Sequence, residues 1–306
     1  MRIPKLKTQI PFQLGDEFEY GEIHDVSPLI RRIVANNPSK FTYLGTGTYI
    51  VGRGQVAVID PGPRLENHIF AIAESLVDET ITHILVTHTH SDHSPAARPL
   101  QSICGAPIYG FSAIRSEVND EESERLEEDV DHAFRPDIAV KNGDFLRSEG
   151  WTVQCVHTPG HMSNHVCYRL LEEKALFSGD HVMGWSTTVI IPPDGSMSDY
   201  LASLRMLLDY DDQIYYPTHG PPIRQPKEFV RACIEHRRQR ELQILECFDN
   251  GMSNVMEMVP VVYRDTDRSL HAPAARSLFA TVIKLWEEGT VSCQGAPELD
   301  KNYWLV

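Results

Sequence analysis

The run Thr87-His88-Thr89-His90-Ser91-Asp92-His93 places three imidazoles and a carboxylate within six positions. Imidazole nitrogen and carboxylate oxygen are the donors that suit Zn²⁺ and related divalent ions. The run follows Ile81 to Val86, an apolar stretch of strand length. A loop leaving the end of a buried strand can turn several side chains onto one point; the competing reading is a solvated polar turn without a ligand.

One loop rarely completes a metal site, and further donors stand at bends after other apolar stretches. His161 lies in Thr158-Pro159-Gly160-His161, Asp180 in Ser178-Gly179-Asp180, and His219 in Tyr216-Pro217-Thr218-His219-Gly220. Each has Gly or Pro beside it, where the backbone bends sharply. The donors divide into two sets. His88, His90 and His161 give three nitrogens to one ion; Asp92, His93 and His219 serve another. Asp180 remains, and a carboxylate can bridge cations about 3.5–4 Å apart. Two such Lewis acids would turn a shared water into a hydroxide nucleophile at neutral pH and polarise a substrate oxygen. Asp92 is the expected catalytic side chain, orienting that nucleophile or carrying a proton to the leaving group.

HTHSDH, TPGH, SGD and THG, in this order, resemble the metal motifs of the metallo-β-lactamase superfamily over about residues 44 to 225. The resemblance implies an α+β fold, the four-layer αβ/βα sandwich. It also implies that Asp60, in Val58-Ile59-Asp60-Pro61-Gly62, supports the metal loop through hydrogen bonds. Gly179-Asp180, Gly184, Thr187-Thr188-Val189, Tyr200, Ser203-Leu204, His219 to Ile223 and His236-Arg237 with Arg240-Glu241 are similar to the beta-lactamase-like protein 2 group. That group carries a small C-terminal winged-helix-like domain and includes endoribonucleases of single-stranded RNA. The exported zinc β-lactamases match poorly, because this chain has Asp180 and no apolar leader after its first residues.

The elements that must hold these donors alternate short β-branched runs with helical spacings. Thr48–Val51 and Gln55–Asp60 form a predicted hairpin around Gly52-Arg53-Gly54. Helices are expected over Arg64–Val77, Pro95–Ile103 and Met197–Leu208, and strands over Pro107–Tyr109, Trp151–His157, His165–Leu171, Ala175–Ser178 and Gln213–Tyr216. From Pro226 the pattern becomes helix, helix, helix, hairpin: Pro226–Asn250, a helix capped by Ser253, Pro273–Glu288, then Thr290–Cys293 and Tyr303–Val306. The division is therefore 1–225 for a hydrolase domain and 226–306 for a winged-helix-like domain.

Charge narrows the partners. Lys and Arg number 28 against 43 Asp and Glu, a net of −15, which argues against a broad phosphate-binding face. Residues 226–306 carry ten basic and twelve acidic side chains, so packing or a homodimer contact is favoured there over nucleic-acid readout. Ser116–Asp131 holds nine acids and reads as a solvated face, or else as a lid against anionic ligands. The six cysteines form no C-x-x-C and read as reduced thiols, with Cys155 and Cys167 able to face one another on adjacent strands. No stretch is long and apolar enough for a membrane span, and a cytoplasmic location is expected. His157, His165 and His181 are read as packing beside the metal loop. His236 with Arg237, Arg238 and Arg240 is read as an interdomain or solvated face ahead of a phosphate contact, and Trp185 and Met183 as pocket lining or core.

The reading is a dinuclear hydrolase with two Zn²⁺ per chain, iron or manganese remaining open, acting on an ester, thioester, lactone or related bond of a small molecule. Cleavage of single-stranded RNA is the specific alternative. A non-enzymatic, metal-containing module for nucleic acid or protein is the alternative of another class.

Overall fold

Period-two burial along the strands dictates a layered molecule. Tyr49 and Val51, Ala57 and Ile59, and Trp151, Val153 and Cys155 point to one shared core, while Ile50, Val56 and Val58 point the opposite way. These strands therefore lie in sheets covered on both faces. The computed structural model describes residues 6–15, 17–112 and 130–306.

The first sheet runs β1 (Ile23–Asp25), β2 (Ile30–Val34), β3 (Gly47–Val51), β4 (Gln55–Ile59), β5 (Thr80–Leu85), β6 (Ile108–Gly110) and β7 (Ile138–Ala139), in chain order. It is antiparallel through β4 and parallel from β4 to β7. The second sheet contains β8 (Phe145–Ser148), β9 (Trp151–His157), β10 (Val166–Leu170), β11 (Ala175–Gly179) and β12 (Ile214–Pro217). Its order is β12-β11-β10-β9-β8, antiparallel except for the β11–β12 pair.

Helices α1 (Glu66–Ser75) and α2 (Ala97–Cys104) cover the first sheet through Ile72, Ala97 and Leu100. The far face of the second sheet buries Val156, Cys167 and Leu176 against α3 (Met197–Leu207) and the start of α4 (Pro226–Asp249). Helix, sheet, sheet, helix is the expected four-layer αβ/βα sandwich. Leu204 and Leu207 of α3 and Phe229 and Val230 of α4 fill the outer core.

At 24 residues, α4 is about 36 Å long at 1.5 Å per residue. Its second half joins a separate core with α5 (Val255–Val262), α6 (His271–Glu287), β13 (Val291–Cys293) and β14 (Tyr303–Leu305). This three-helix and hairpin unit is the winged-helix domain. The cap of α5 is Asn254, whose side chain accepts from the Met256 amide, and not Ser253; the Ser253 hydroxyl instead meets Asn302. Among the described residues no helix is long and apolar enough to cross a membrane.

The structure adds strands β1 and β2, where Arg31 and Arg32 interrupt the apolar run from Leu29 to Val34. Both side chains are buried all the same, Arg31 against Glu79 and Arg32 beside the Phe18 and Tyr49 rings. Cys155 and Cys167 do not face one another: Cys155 registers with Tyr168, and the two thiols enter different cores. All six cysteines are free. The acidic run Ser116–Asp131 falls outside the described residues except for its last two, where Val130 bridges to His90 and Asp131 accepts from the Ser94 hydroxyl.

Candidate metal centre

Parallel pairing of β4 with β5, and of β11 with β12, brings the C-terminal ends of four strands to one rim of the sandwich. β9 runs the same way as β11, since β10 is antiparallel to both. The loops leaving these five strand ends carry Asp60, Thr87 to His93, His161, Asp180 and Thr218-His219. The sequence thus assembles one site from positions up to 159 residues apart. Two glycines make the bends possible. A Cβ on Gly160, at φ +143°, would lie 2.3 Å from the Tyr200 Cα; one on Gly179, at φ +52°, would lie 2.5 Å from His165 Nε2.

Two clusters result, and they are the two read from the sequence. In the first, His90 Nδ1 lies 2.9 Å from His88 Nε2 and 3.1 Å from His161 Nε2. Nitrogens at about 2.05 Å from one tetrahedral ion stand about 3.3 Å apart, so this spacing fits a single cation. In the second, Asp92 Oδ2 lies 2.9 Å from His219 Nε2 and 3.3 Å from His93 Nε2. Asp180 stands between them. Its Oδ1 is 3.5 Å from His219 Nε2 and 3.6 Å from His93 Nε2, and its Oδ2 is 4.0 Å from His161 Nε2. All seven sequence-predicted side chains meet here.

The far nitrogen of each ring fixes which atom faces inward. His161 Nδ1 donates to the Val189 carbonyl at 2.8 Å, His219 Nδ1 to the Gly45 carbonyl at 3.1 Å and His93 Nδ1 to Asp60 at 2.8 Å. The Thr87 hydroxyl donates to Asp60 and so is left to accept from His88 Nδ1 at 3.0 Å. In each of these four rings Nε2 is then the atom turned toward the centre.

Asp60 is the hub of this arrangement. It is fully buried, at φ +48°, and receives the Thr87 amide on Oδ1 and the Thr87 hydroxyl, Thr218 hydroxyl and His93 ring on Oδ2. Its supporting role, implied by the resemblance, is what the geometry shows. The two threonines were not singled out from the sequence. The Thr-His pair alone could not have found them, since it also occurs at 82-83 and 89-90; their place just after a strand end is what sets 87-88 and 218-219 apart. His165 is a support as well: Nδ1 meets the Thr158 hydroxyl, and Nε2 accepts from the Asp180 amide. His157 stacks on Phe111, and His181 packs edge-on against Tyr200, so neither joins the cluster.

Electrostatics separate the two halves. Burial pushes the His90 imidazole down to about 3, helped by His161, and burial lowers His88 and His161 also. Those nitrogens are neutral lone-pair donors. In the other half burial would lower His219, but Asp180 and Asp92 outweigh it and hold that ring up at about 9. Burial would raise Asp180, yet His219 and His93 bring it down to about 2. Three buried carboxylates thus converge on the rim, and both Asp92 oxygens, Asp180 Oδ1 and the Nε2 atoms of His93 and His219 have no hydrogen-bond partner. A buried anionic excess with unpaired acceptors is costly unless cations fill it. The donor set fits divalent metal at two neighbouring positions.

Cavity size is not what marks the site. A cleft of about 730 Å³ between Pro192–Ser198 and α6 contains none of the seven side chains. A smaller cavity of about 280 Å³ is lined by none of them either, but by Thr188 and Val189, which bond His161 on its outward Nδ1 side. Trp185 lines it, stacked on Tyr43 at 4.8 Å, whereas Met183 is buried.

Comparison with known proteins agrees with this architecture. Residues 43–219 match the family model of the metallo-beta-lactamase superfamily, and residues 255–301 match that of the beta-lactamase associated winged helix domain. A beta-lactamase-like protein 2 homolog of Caenorhabditis elegans is 30% identical over 291 residues, covering 92% of each chain. An atrochrysone carboxyl ACP thioesterase of a Cryptosporiopsis species is 28% identical over 305 residues, covering 93% of this chain and 87% of its own. A beta-lactamase domain protein from Burkholderia ambifaria superposes with a TM-score of 0.76 at 19% identity, covering 97% of both chains, which speaks to the fold. Together with the seven converging donors, these matches place the chain in the metallo-beta-lactamase superfamily, as a metal-dependent hydrolase related to the beta-lactamase-like protein 2 homologs and carrying a C-terminal winged-helix domain.

Proposed function

We propose that this hydrolase is a dinuclear zinc enzyme that cleaves the acyl bond of a small thioester, ester or lactone. The observation that carries the reading is Asp180, whose two oxygens face opposite clusters of ligand atoms. His88, His90 and His161 would hold one ion, and Asp92, His93 and His219 the other, with residues 1–225 supplying the centre and 226–306 the winged helix. When bound, two zinc ions supply Lewis acidity, which polarises a carbonyl and acidifies water.

The chain's own residues do the rest. Asp92 turns Oδ2 to the imidazoles of His93 and His219, and neither of its oxygens has a hydrogen-bond partner. Its carboxylate is the group that takes a proton from the attacking water and returns it to the departing thiolate or alkoxide, so that acid and alcohol or thiol leave neutral in sum. Asp60 fixes the His93 tautomer, and the Val189 carbonyl fixes that of His161. A cavity near 280 Å³ has room for a small group, and a net charge of −15 weighs against the long basic track that a strand of RNA needs. The thioesterase name of one relative supports testing thioesters first.

The experiment is a panel of acyl thioesters, esters, lactones and a single-stranded RNA, each offered to zinc-loaded, chelated and reloaded protein. Hydrolysis of an acyl substrate that disappears and returns with zinc is the expected result. Cleavage of the RNA alone would overturn the assignment.

A further inference from the structure

The helix α4 turns its basic residues in two directions. Arg238 faces solvent and pairs with Glu235, whereas Arg237 and Arg240 are directed inward, toward the cavity beside His161. Arg237 is 6% exposed and donates to the Thr188 carbonyl. Arg240, about one turn further on, donates to Gln243 and to the Val262 carbonyl at the end of α5. The two guanidiniums therefore span the cavity from the metal-loop side to the winged-helix side.

Neither has a carboxylate partner among the described residues; Asp265, the acid that acts on Arg240 through space, points instead to Arg264. The exposed Lys40 adds a third cation at the edge of the lining, and no Asp or Glu lines the cavity. Arg237 is buried and Arg240 half-buried, each against a tyrosine ring, Tyr200 and Tyr263, but without a counter-ion in a chain of net −15 that has acids to spare.

Three side-chain nitrogens on this one cavity are buried without a hydrogen-bond partner: Arg240 Nε, Trp185 Nε1 and His236 Nδ1. The first two are obligate donors. Buried donors left open call for an acceptor, and a ring of donors and cations calls for an anion. The remaining walls, Phe41, Trp185 and Tyr263, offer aromatic faces.

We propose that this cavity binds a small aromatic or apolar substrate bearing a carboxylate or phosphate, held by Arg240 and the Trp185 indole. The inference rests on the hydrolase reading for its place in a reaction, but the pocket's preference for anions stands apart from turnover. The volume suits a small group, and its position puts that group next to Thr188, on the Nδ1 side of His161.

Titration calorimetry on the full chain tests it, using benzoate, phenyl phosphate and neutral benzamide, each with protein holding zinc and with chelated protein. Either anion should bind at least tenfold more tightly than benzamide in both forms, and the better of the two identifies carboxylate or phosphate. Arg240→Gln should remove at least tenfold of that preference, and Trp185→Phe, which deletes only the donor, several-fold, with melting curves confirming the fold. Equal affinity for benzamide and the anions, anion binding that vanishes with zinc, or anion binding indifferent to both substitutions would each overturn the proposal. Absence of hydrolysis with intact anion binding would sink the reaction assignment and leave the pocket standing.

Discussion

Replacing Asp60 by Asn tests whether the centre is built from the hub outward. The side chains are isosteric, and Asp60 is no proposed ligand, so any loss of metal must pass through the groups it holds. Oδ1 faces an obligate donor, the Thr87 amide at 2.8 Å; Oδ2 faces the His93 ring at 2.8 Å and two hydroxyls at 2.7 and 2.9 Å. An amide cannot satisfy both sides. With its NH₂ on the Oδ2 side, His93 Nδ1 must accept, which moves the ring proton onto Nε2, the atom that faces Asp92 and Asp180. With its NH₂ on the Oδ1 side, two donors oppose each other in a buried space. The first arrangement forfeits a hydrogen bond to an ionised group, about 1.5–3 kcal/mol, which is roughly 10- to 150-fold in zinc affinity at 1.4 kcal/mol per decade. The second costs about 1–3 kcal/mol of folding stability. Competition against a fluorescent chelator gives the affinities, and urea unfolding of the chelated protein gives the stability. An Asp60→Asn chain matching the parent in both would refute the hub.

Three further outcomes follow from the same contacts. Gly160→Ala drives a Cβ into the backbone of Tyr200 at a φ that disfavours side chains, and should cost about 3 kcal/mol or more in urea unfolding. Arg169→Met strands Asp212, which is 4% exposed and bonded to Arg169 Nε at 2.8 Å, and should cost about 3–5 kcal/mol, whereas Lys174→Met, at an exposed ion pair, should cost under about 1 kcal/mol. Burial holds His68 down at about 4 against 6.5 for a free ring, so the unfolded chain binds its proton first. Its stabilising contribution is complete above pH 6.5 and falls by about 1.4 kcal/mol per unit toward pH 4, up to about 3 kcal/mol; His68→Gln should flatten that part of the pH–stability curve.

Much of this was legible from types and spacing. Seven donors at bends after apolar runs announced themselves, because metal chemistry admits few residue types. The strands β3, β4 and β9 to β11 carried clean apolar signals. What stayed hidden depends on partners distant in sequence. Arg31 and Arg32 break the apolar pattern of β2, and only Glu79 and the Phe18 and Tyr49 rings, distant in sequence, supply what buries them. Thr87 and Thr218 are ordinary threonines until a carboxylate 27 and 158 residues away collects their hydroxyls. Arg237, Arg238 and Arg240 form one basic cluster in the sequence, yet only the helical turn decides which of them faces solvent. β8, a short strand with two exposed residues between two Gly turns, offered too little apolar pattern to be read.

An anomalous difference map from zinc-loaded crystals, recorded at the zinc edge, addresses the centre itself. It should show two peaks about 3.5–4 Å apart, one enclosed by His88, His90 and His161 and the other by Asp92, His93 and His219, with Asp180 reaching toward both. A single peak, or zinc held away from these side chains, would contradict the dinuclear assignment.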